Sequence, residues 1–329
     1  MTTAAAPLQG LIAELRTAGG LAHKRDIAAV AARLGVGGDG DVPVGDDCAA
    51  IPDGDGHLLL AAEGFVSGFV AGDPWFAGYC GVMVNLSDVA AMGGRPLAVV
   101  DILWAETEAA AGPILDGLRS AAATYGLPVV GGHSNLRSAS NQFGAAILGR
   151  AKALITSFDA QPGDRLVFAV DLRGRFREPD AYWDASTGRP SDRLRGDLEI
   201  LPQLAEAGLV RAGKDISMAG FVGTALMLLE CSGVGATLDL EAIPRPETAP
   251  LARWLKAFPS FGFVLAVRPD KASEVLARFE DRGIAAAEAG EVIRPPELHL
   301  RLGDEQAIFW NLAASPLIGC GPRPEPLHA

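Results

Sequence analysis

Met83-Val84-Asn85-Leu86-Ser87-Asp88-Val89-Ala90-Ala91-Met92-Gly93-Gly94 sets an amide and a carboxylate three residues apart inside an otherwise apolar run. At helical spacing Asn85 and Asp88 share one face. A carboxylate among Val, Leu, Ala and Met is costly unless a cation, hydrogen bonds or water meet it, and a metal–phosphate site is one such answer. The helix has readable ends. Asp73 can cap its N-terminus with Pro74 at the first helical position, and Gly93-Gly94 ahead of Pro96 stops it.

Working outward, the pattern alternates. Strand 58–65, helix 74–92, strand 97–104, helix 108–125 and strands 127–131 and 143–151 read as an α/β lobe. Residues 8–34 read as one or two packed helices broken at Gly19-Gly20. The turn cluster Ala160-Gln161-Pro162-Gly163-Asp164 marks a boundary, giving expected domains at 1–157 and 158–329. The second lobe reads as strand 165–170, helices 192–208 and 218–232, strands 235–240 and 261–267, helix 270–282 and strands 286–293 and 297–302. The fold class is α/β with an α+β character.

Composition narrows the function. A chain of 329 residues, 49% hydrophobic, can bury two ordinary cores. Its formal charge of −12 argues against nucleic-acid backbones and anionic membranes, yet a negative chain binds ATP when Mg²⁺ bridges carboxylates to phosphates. The longest apolar run, Phe221 to Leu238, is interrupted by Thr224, Glu230 and glycines, so no membrane span is expected. Met1 to Pro7 lacks the basic and apolar regions of a secretory signal, which points to the cytoplasm. Cys48, Cys80, Cys231 and Cys320 show no Cys-x-x-Cys spacing and read as reduced thiols, with Cys48 a space-filler in its loop.

Two further polar stretches sit at strand-to-loop transitions: Gly45-Asp46-Asp47-Cys48 and Gly131-Gly132-His133-Ser134-Asn135. Phosphoryl transfer needs Mg²⁺ held against phosphates and an acceptor placed in line, which carboxylates on short loops supply. Gly45 would let backbone amides approach a phosphate closely. An Asp-rich turn is the plain alternative for Asp46 and Asp47. A neutral imidazole is a poor Mg²⁺ ligand, so His133 reads as a phosphate hydrogen-bond donor, a proton carrier, or a structural histidine. Arg173, Arg175, Arg177, Arg189, Arg193 and Arg195, with Tyr182 and Trp183, read as a loop that either clamps a substrate anion or is solvated and ion-paired.

Together, the Gly-Asp-Asp loop, the Asn-x-x-Asp-x-x-x-Met-Gly run and Lys214-Asp215-Ile216-Ser217-Met218-Ala219-Gly220 resemble the superfamily of aminoimidazole ribonucleotide (AIR) synthetase, thiamine-monophosphate kinase, selenophosphate synthetase and the hydrogenase-maturation carbamoyl dehydratase, over roughly residues 40 to 300. The resemblance implies a two-lobe AIR-synthetase-like fold with a dimer-forming N-terminal sheet, a homodimer, and ATP with Mg²⁺ as cofactors. It implies catalytic roles for Asp88, His133 and Asp215, nucleotide contacts from Gly45, Asp46, Asp47, Asn85, Gly131, Gly132, Ser134 and Asn135, and a substrate contact from Ser217, beside the candidate substrate clamp of Arg173, Arg175 and Arg177 read from the loop itself. Asp46, Asp47, Glu63 and Asp88 are the implied metal ligands. At Glu63 the superfamily usually carries Asp; a salt-bridged strand-end residue is the other reading.

The branch stays open. No cysteine precedes Cys48, unlike selenophosphate synthetase; the chain ends Pro324-Glu325-Pro326-Leu327-His328-Ala329 without the terminal cysteine of the carbamoyl dehydratases; and Glu63-Gly64-Phe65-Val66-Ser67-Gly68 is unlike the AIR synthetase strand end. Thiamine-monophosphate kinase matches best but differs at Glu63, His133 and Met218. The expected activity is phosphorylation or activation of a small polar metabolite. The alternatives are a catalytically silent nucleotide-binding accessory protein and a ligase of the selenophosphate- or AIR-synthetase type.

Overall fold

The computed structural model describes residues 7–36 and 43–322. The readings at Met1 to Ala6 and at Pro324 to Ala329 therefore lie outside the described residues.

The chain begins with α1 (Pro7–Arg16), α2 (Gly19–Lys24) and α3 (Asp26–Leu34). Next come β1 (Ala49–Asp53), β2 (Gly56–Phe65), α4 (Ser67–Gly72), α5 (Pro74–Ala91), β3 (Arg95–Trp104), α6 (Glu108–Tyr125), β4 (Val129–Asn135) and β5 (Gln142–Ala151). Then follow β6 (Arg165–Val170), β7 (Arg175–Arg177), β8 (Tyr182–Asp184), α7 (Ser191–Leu198), α8 (Ile200–Glu206), β9 (Ala212–Asp215), α9 (Gly220–Ser232) and β10 (Gly235–Asp239). The chain closes with α10 (Leu251–Trp254), β11 (Phe258–Pro259), β12 (Gly262–Val267), α11 (Ala272–Glu280), β13 (Ala285–Ile293), β14 (Glu297–Leu302) and β15 (Glu305–Asn311). No helix among the described residues is long and apolar enough to cross a membrane.

Two compact units result. The first comprises Asp47–Leu154 with Ser186–Glu206; the second comprises the described residues up to Asp46, Ile155–Ala185 and those from Ala207 onward. The change of unit near Ile155 falls close to the expected boundary at 157, but the ends of the chain are shared out differently. α1 packs on β15, where the Leu8 amide donates to Glu305 and Arg16 donates to the Phe309 carbonyl, so the N-terminal helices join the second unit. Helices α7 and α8 join the first: α7 packs on α6, and Arg95 on β3 forks between Glu199 and Glu206.

In the first unit five strands run β1-β2-β5-β3-β4, with β3 and β4 parallel and the other neighbours antiparallel. Helix α5 covers one face. Asp73 caps it by accepting from the Phe76 amide at 3.1 Å, and every residue from Phe76 to Ala91 is buried. Helix α6 lies against it, closely enough that a side chain at Gly78 would strike the Ile114 carbonyl and one at Gly117 the Trp75 carbonyl. The periodicity-based limits of α5 and α6 agree with these elements within one residue.

The second unit is built on seven strands in the order β15-β14-β10-β13-β6-β12-β9, with β10 and β14 parallel. Its core surrounds α9, buried from Gly220 to Cys231, together with Phe168, Phe221 and Trp254. Two short strands, β7 and β8, occupy part of the arginine-rich segment expected to be a loop and form a small sheet with β11 in the order β11-β8-β7. They form because Phe176 and Trp183 have an aromatic cluster to join: Trp183 meets Trp254 edge-on at 5.1 Å.

Candidate functional site

Strand register places the acids of the first unit. Glu63 on β2 pairs with Ala145 on β5, Ala145 with Asp101 on β3, and Asp101 with Gly132 on β4. Paired residues share a sheet face and alternate residues share a side, so this row lies on the face of Leu59, Ala61, Val99, Leu103 and Ile147, which α5 covers. Ala145 keeps the middle of the row low. Glu63 and Asp101, two strand spacings apart, stand roughly 10 Å from each other at the backbone.

Helix α5 brings Asn85 over that row. Its Nδ2 donates to the Gly81 carbonyl at 2.9 Å and to the Ala145 carbonyl at 3.4 Å, while its Oδ1, fully buried, has no hydrogen-bond partner. Asp101, 8% exposed, also carries a buried Oδ2 without a donor, and burial pushes its carboxyl above the usual carboxylate range. Gly132 makes room for it, since a Cβ there would lie 2.2 Å from Asp101 Oδ1. Each unanswered buried polar atom costs about 1–3 kcal/mol. Two such atoms around one row mark a place built to receive something polar.

One turn along α5 from Asn85, Asp88 is 6% exposed. Half-buried Asp47 brings a carboxylate oxygen within 4.8 Å of one from Asp88. Like charges this close are relieved by a proton or a cation, and oxygen ligands suit a hard divalent ion. Asp47 continues into Cys48, whose amide donates to the Met92 sulfur at 3.0 Å and ties the loop to the end of α5.

Asp46, in the second unit, does different work. Its Oδ1 accepts from both the amide and the hydroxyl of buried Ser157, at 2.9 and 2.6 Å. Lys214, 4% exposed on β9, donates to Ser157 Oγ at 3.2 Å and to the Gly45 carbonyl at 3.3 Å. Asp46 is thus the anchor of its turn.

Other expected residues fall in several places. His133 pairs with Ile102 on the uncovered face of the sheet, exposed, with its ring 5.4 Å from Trp104. The one-residue alternation of β4 turns it away from Asp101, so the structure does not bring it to the acidic row. Ser134 is level with Leu103 on the helix-covered side; Asn135, level with Trp104, accepts from the Arg137 amide. In the second unit Asp215 is 3% exposed at the end of β9. The Ser217 amide donates to Thr224 Oγ1 and its hydroxyl accepts from the Ala219 amide, which shapes the turn into α9.

Two of the expected trio of arginines are ion-paired. Arg173 pairs with Asp171 at 2.7 Å and Arg177 with Asp184 at 3.2 Å, while Arg175 is exposed. Trp183 is buried and donates to the Asp171 carbonyl, which makes it core. Sequence reasoning missed Asp101 and Lys214. The available signal was an ionisable residue inside the apolar run Leu97-Ala98-Val99-Val100-Asp101-Ile102-Leu103, and Lys214 beside Asp215 at the end of a short strand.

A two-unit α/β protein with an acid-lined row beneath a buried helix is the class this geometry defines. The chain belongs to the AIR synthase related family: residues 45–151 match the model of its N-terminal domain and residues 187–303 that of its C-terminal domain. Among curated relatives, the uncharacterized protein sll0787 of Synechocystis sp. is 50% identical over 318 residues, covering 95% of this chain and 98% of its own. A selenide, water dikinase of Myxococcus xanthus is 30% identical over 186 residues, 53% of each chain. The fold is also that of T. maritima PurL complexed with ADP (TM-score 0.69, 21% identity, 85% of this chain and 47% of that one). AaThiL complexed with AMPPCP and TMP is similar too (TM-score 0.63, 18% identity, 86% and 95%).

Proposed function

We propose that the protein is a Mg²⁺- and ATP-dependent enzyme that phosphorylates or otherwise activates a small polar metabolite. The observation that carries this reading is the Asp47–Asp88 pair, whose oxygens lie within 4.8 Å on a site with unanswered polar atoms at Asn85 and Asp101. The kinship with a selenide, water dikinase and the fold of ADP- and AMPPCP-bound structures support it.

Asp47 and Asp88 are the residues that would hold the ion, with Asp101 and Glu63 on the sheet row beneath α5. A bound Mg²⁺ would neutralise phosphate charge and fix the phosphates for in-line transfer. Asn85, pinned by Nδ2 to two carbonyls, presents Oδ1 in a fixed direction toward an ion-bound water or a donor on the ligand. Ser134 and the glycines of β4 offer a strand edge for phosphate oxygens.

The uncovered face of the same sheet supports a homodimer. Ile51, Leu60, Leu148 and Ile102 point outward on four adjacent strands, each exposed over more than a third of its surface. An apolar face of this kind suits a second copy of the chain.

Titration calorimetry with a non-hydrolysable ATP analogue tests the reading. Binding that requires Mg²⁺ and disappears in Asp88→Asn is expected; Mg²⁺-independent or absent binding would overturn it. Turnover assays over a metabolite panel then identify the acceptor, and tight binding without turnover would leave a nucleotide-binding accessory protein.

A further inference from the structure

Cys231, on α9, and Cys320, beyond β15, meet at Gly45. A side chain built on Gly45 would begin 3.1 Å from Cys231 Sγ and 3.3 Å from Cys320 Sγ, so its bare Cα is what lets both sulfurs reach this spot. Two independent features hold them there. Glu230, 5% exposed, accepts from the amides of Leu317, Ile318 and Gly319 at 2.7 to 2.9 Å and fixes the segment carrying Cys320 against the end of α9. Cys231 donates to the Gly45 carbonyl at 3.6 Å, the oxygen that also receives Lys214.

We propose that Cys231 and Cys320 are a modification site: a dithiol that small-molecule disulfides close to an intrachain disulfide, moving the Gly45–Asp47 turn as it closes. A disulfide needs its sulfurs about 2.0 Å apart, so both must move toward each other beside Gly45. Closure also removes the S–H that Cys231 gives to the Gly45 carbonyl. The more exposed Cys320 reacts first. Its thiolate attacks one sulfur of the oxidant, breaking that S–S bond and releasing one thiol. Cys231 then gives up its proton and attacks the Cys320 sulfur, expelling the second thiol. Two protein thiols are oxidised by two electrons and one disulfide is reduced to two thiols. Both cysteines are free thiols, and burial pushes both above their ordinary range, so the attack runs through a small thiolate fraction and closure is slow.

The consequence for ligand binding rests on the function proposed above, because Asp47 is the next residue but one after Gly45; formation of the bond does not. The full-length protein is incubated with oxidised glutathione, and non-reduced peptides are mapped by mass spectrometry. A Cys231–Cys320 linkage is expected, together with a fall of about tenfold in Mg²⁺-dependent affinity for the ATP analogue that dithiothreitol reverses. Cys320→Ser should lose both effects, while Cys48→Ser should keep them. Glutathione stably attached to Cys320 with no linkage would overturn the dithiol, and a linkage with unchanged affinity would overturn the movement of the turn. Should the linkage form while neither redox state binds nucleotide, the dithiol stands and the ATP reading falls.

Discussion

Each face of the first unit's sheet carries exceptions to the usual rule. The face covered by α5 carries Glu63 and Asp101 with Asn85 and Asp88 laid over it, whereas the uncovered face carries Ile51, Leu60, Ile102 and Leu148. Burial normally selects apolar groups and exposure selects polar ones. Each exception matches one part of the proposed function: the acids beneath the helix suit a cation and its anion, and the apolar uncovered face suits a second copy of the chain.

The largest effect belongs to the covered face. Asp88→Ala should weaken Mg²⁺-dependent nucleotide binding by about 100-fold or more, the scale of a lost charged ligand of about 3 kcal/mol. A variant with normal affinity would remove Asp88 from the site. On the uncovered face, Leu60→Arg combined with Leu148→Arg should raise the dissociation constant of the proposed dimer by about tenfold to 100-fold, seen by sedimentation-equilibrium ultracentrifugation or light scattering, because two charges would be desolvated in an apolar contact. Nucleotide affinity should stay within about twofold. An unchanged dimer would assign this face to a different occupant.

Asp101→Asn sits next. Lower Mg²⁺ affinity by about tenfold is expected, in line with loss of one supporting oxygen. The pH dependence has a definite sign in the metal-free protein. Burial raises the folded-state pKa of Asp101 above its unfolded value, so its contribution to stability is complete below the usual Asp range and is lost as pH rises through the raised value. Thermal melts of the apo protein from acid toward neutral pH should therefore decline less steeply in Asp101→Asn. Equal slopes would mean that Asp101 is already answered by water.

The sequence made most of the fold legible because the first unit's helices announce their own ends. Asp73-Pro74 and Gly93 bound α5, and Thr107 and Gly126 bound α6. It was silent where pairing is set by distant partners: β1, β9 and β15 are short or polar and become strands only beside β2, β12 and β14. The site divided in the same way. Asn85 and Asp88 could be read because helical spacing fixes their common face. Asp46 and Asp47 could not be told apart, since adjacent residues in a turn point in unrelated directions; one is spent on Ser157 and the other reaches Asp88. Asp101 was hidden in a strand that reads as core.

His133 shows why face assignment outweighs motif. Gly131-Gly132-His133-Ser134 looks like a phosphate loop, but residues 131–135 are strand, and one residue of alternation separates Gly132, level with Asp101, from His133, level with Ile102. The smallest effect on chemistry is accordingly expected here: His133→Ala should change Mg²⁺-nucleotide affinity by less than about twofold, the ordinary reach of a surface substitution. Its ring packs on Trp104 beside Ile102, so any measurable change should appear in self-association instead. A large loss of nucleotide affinity in His133→Ala with the dimer intact would show that β4 leaves its present register when ligand binds, and the contrast between the two faces would then hold only for the empty protein.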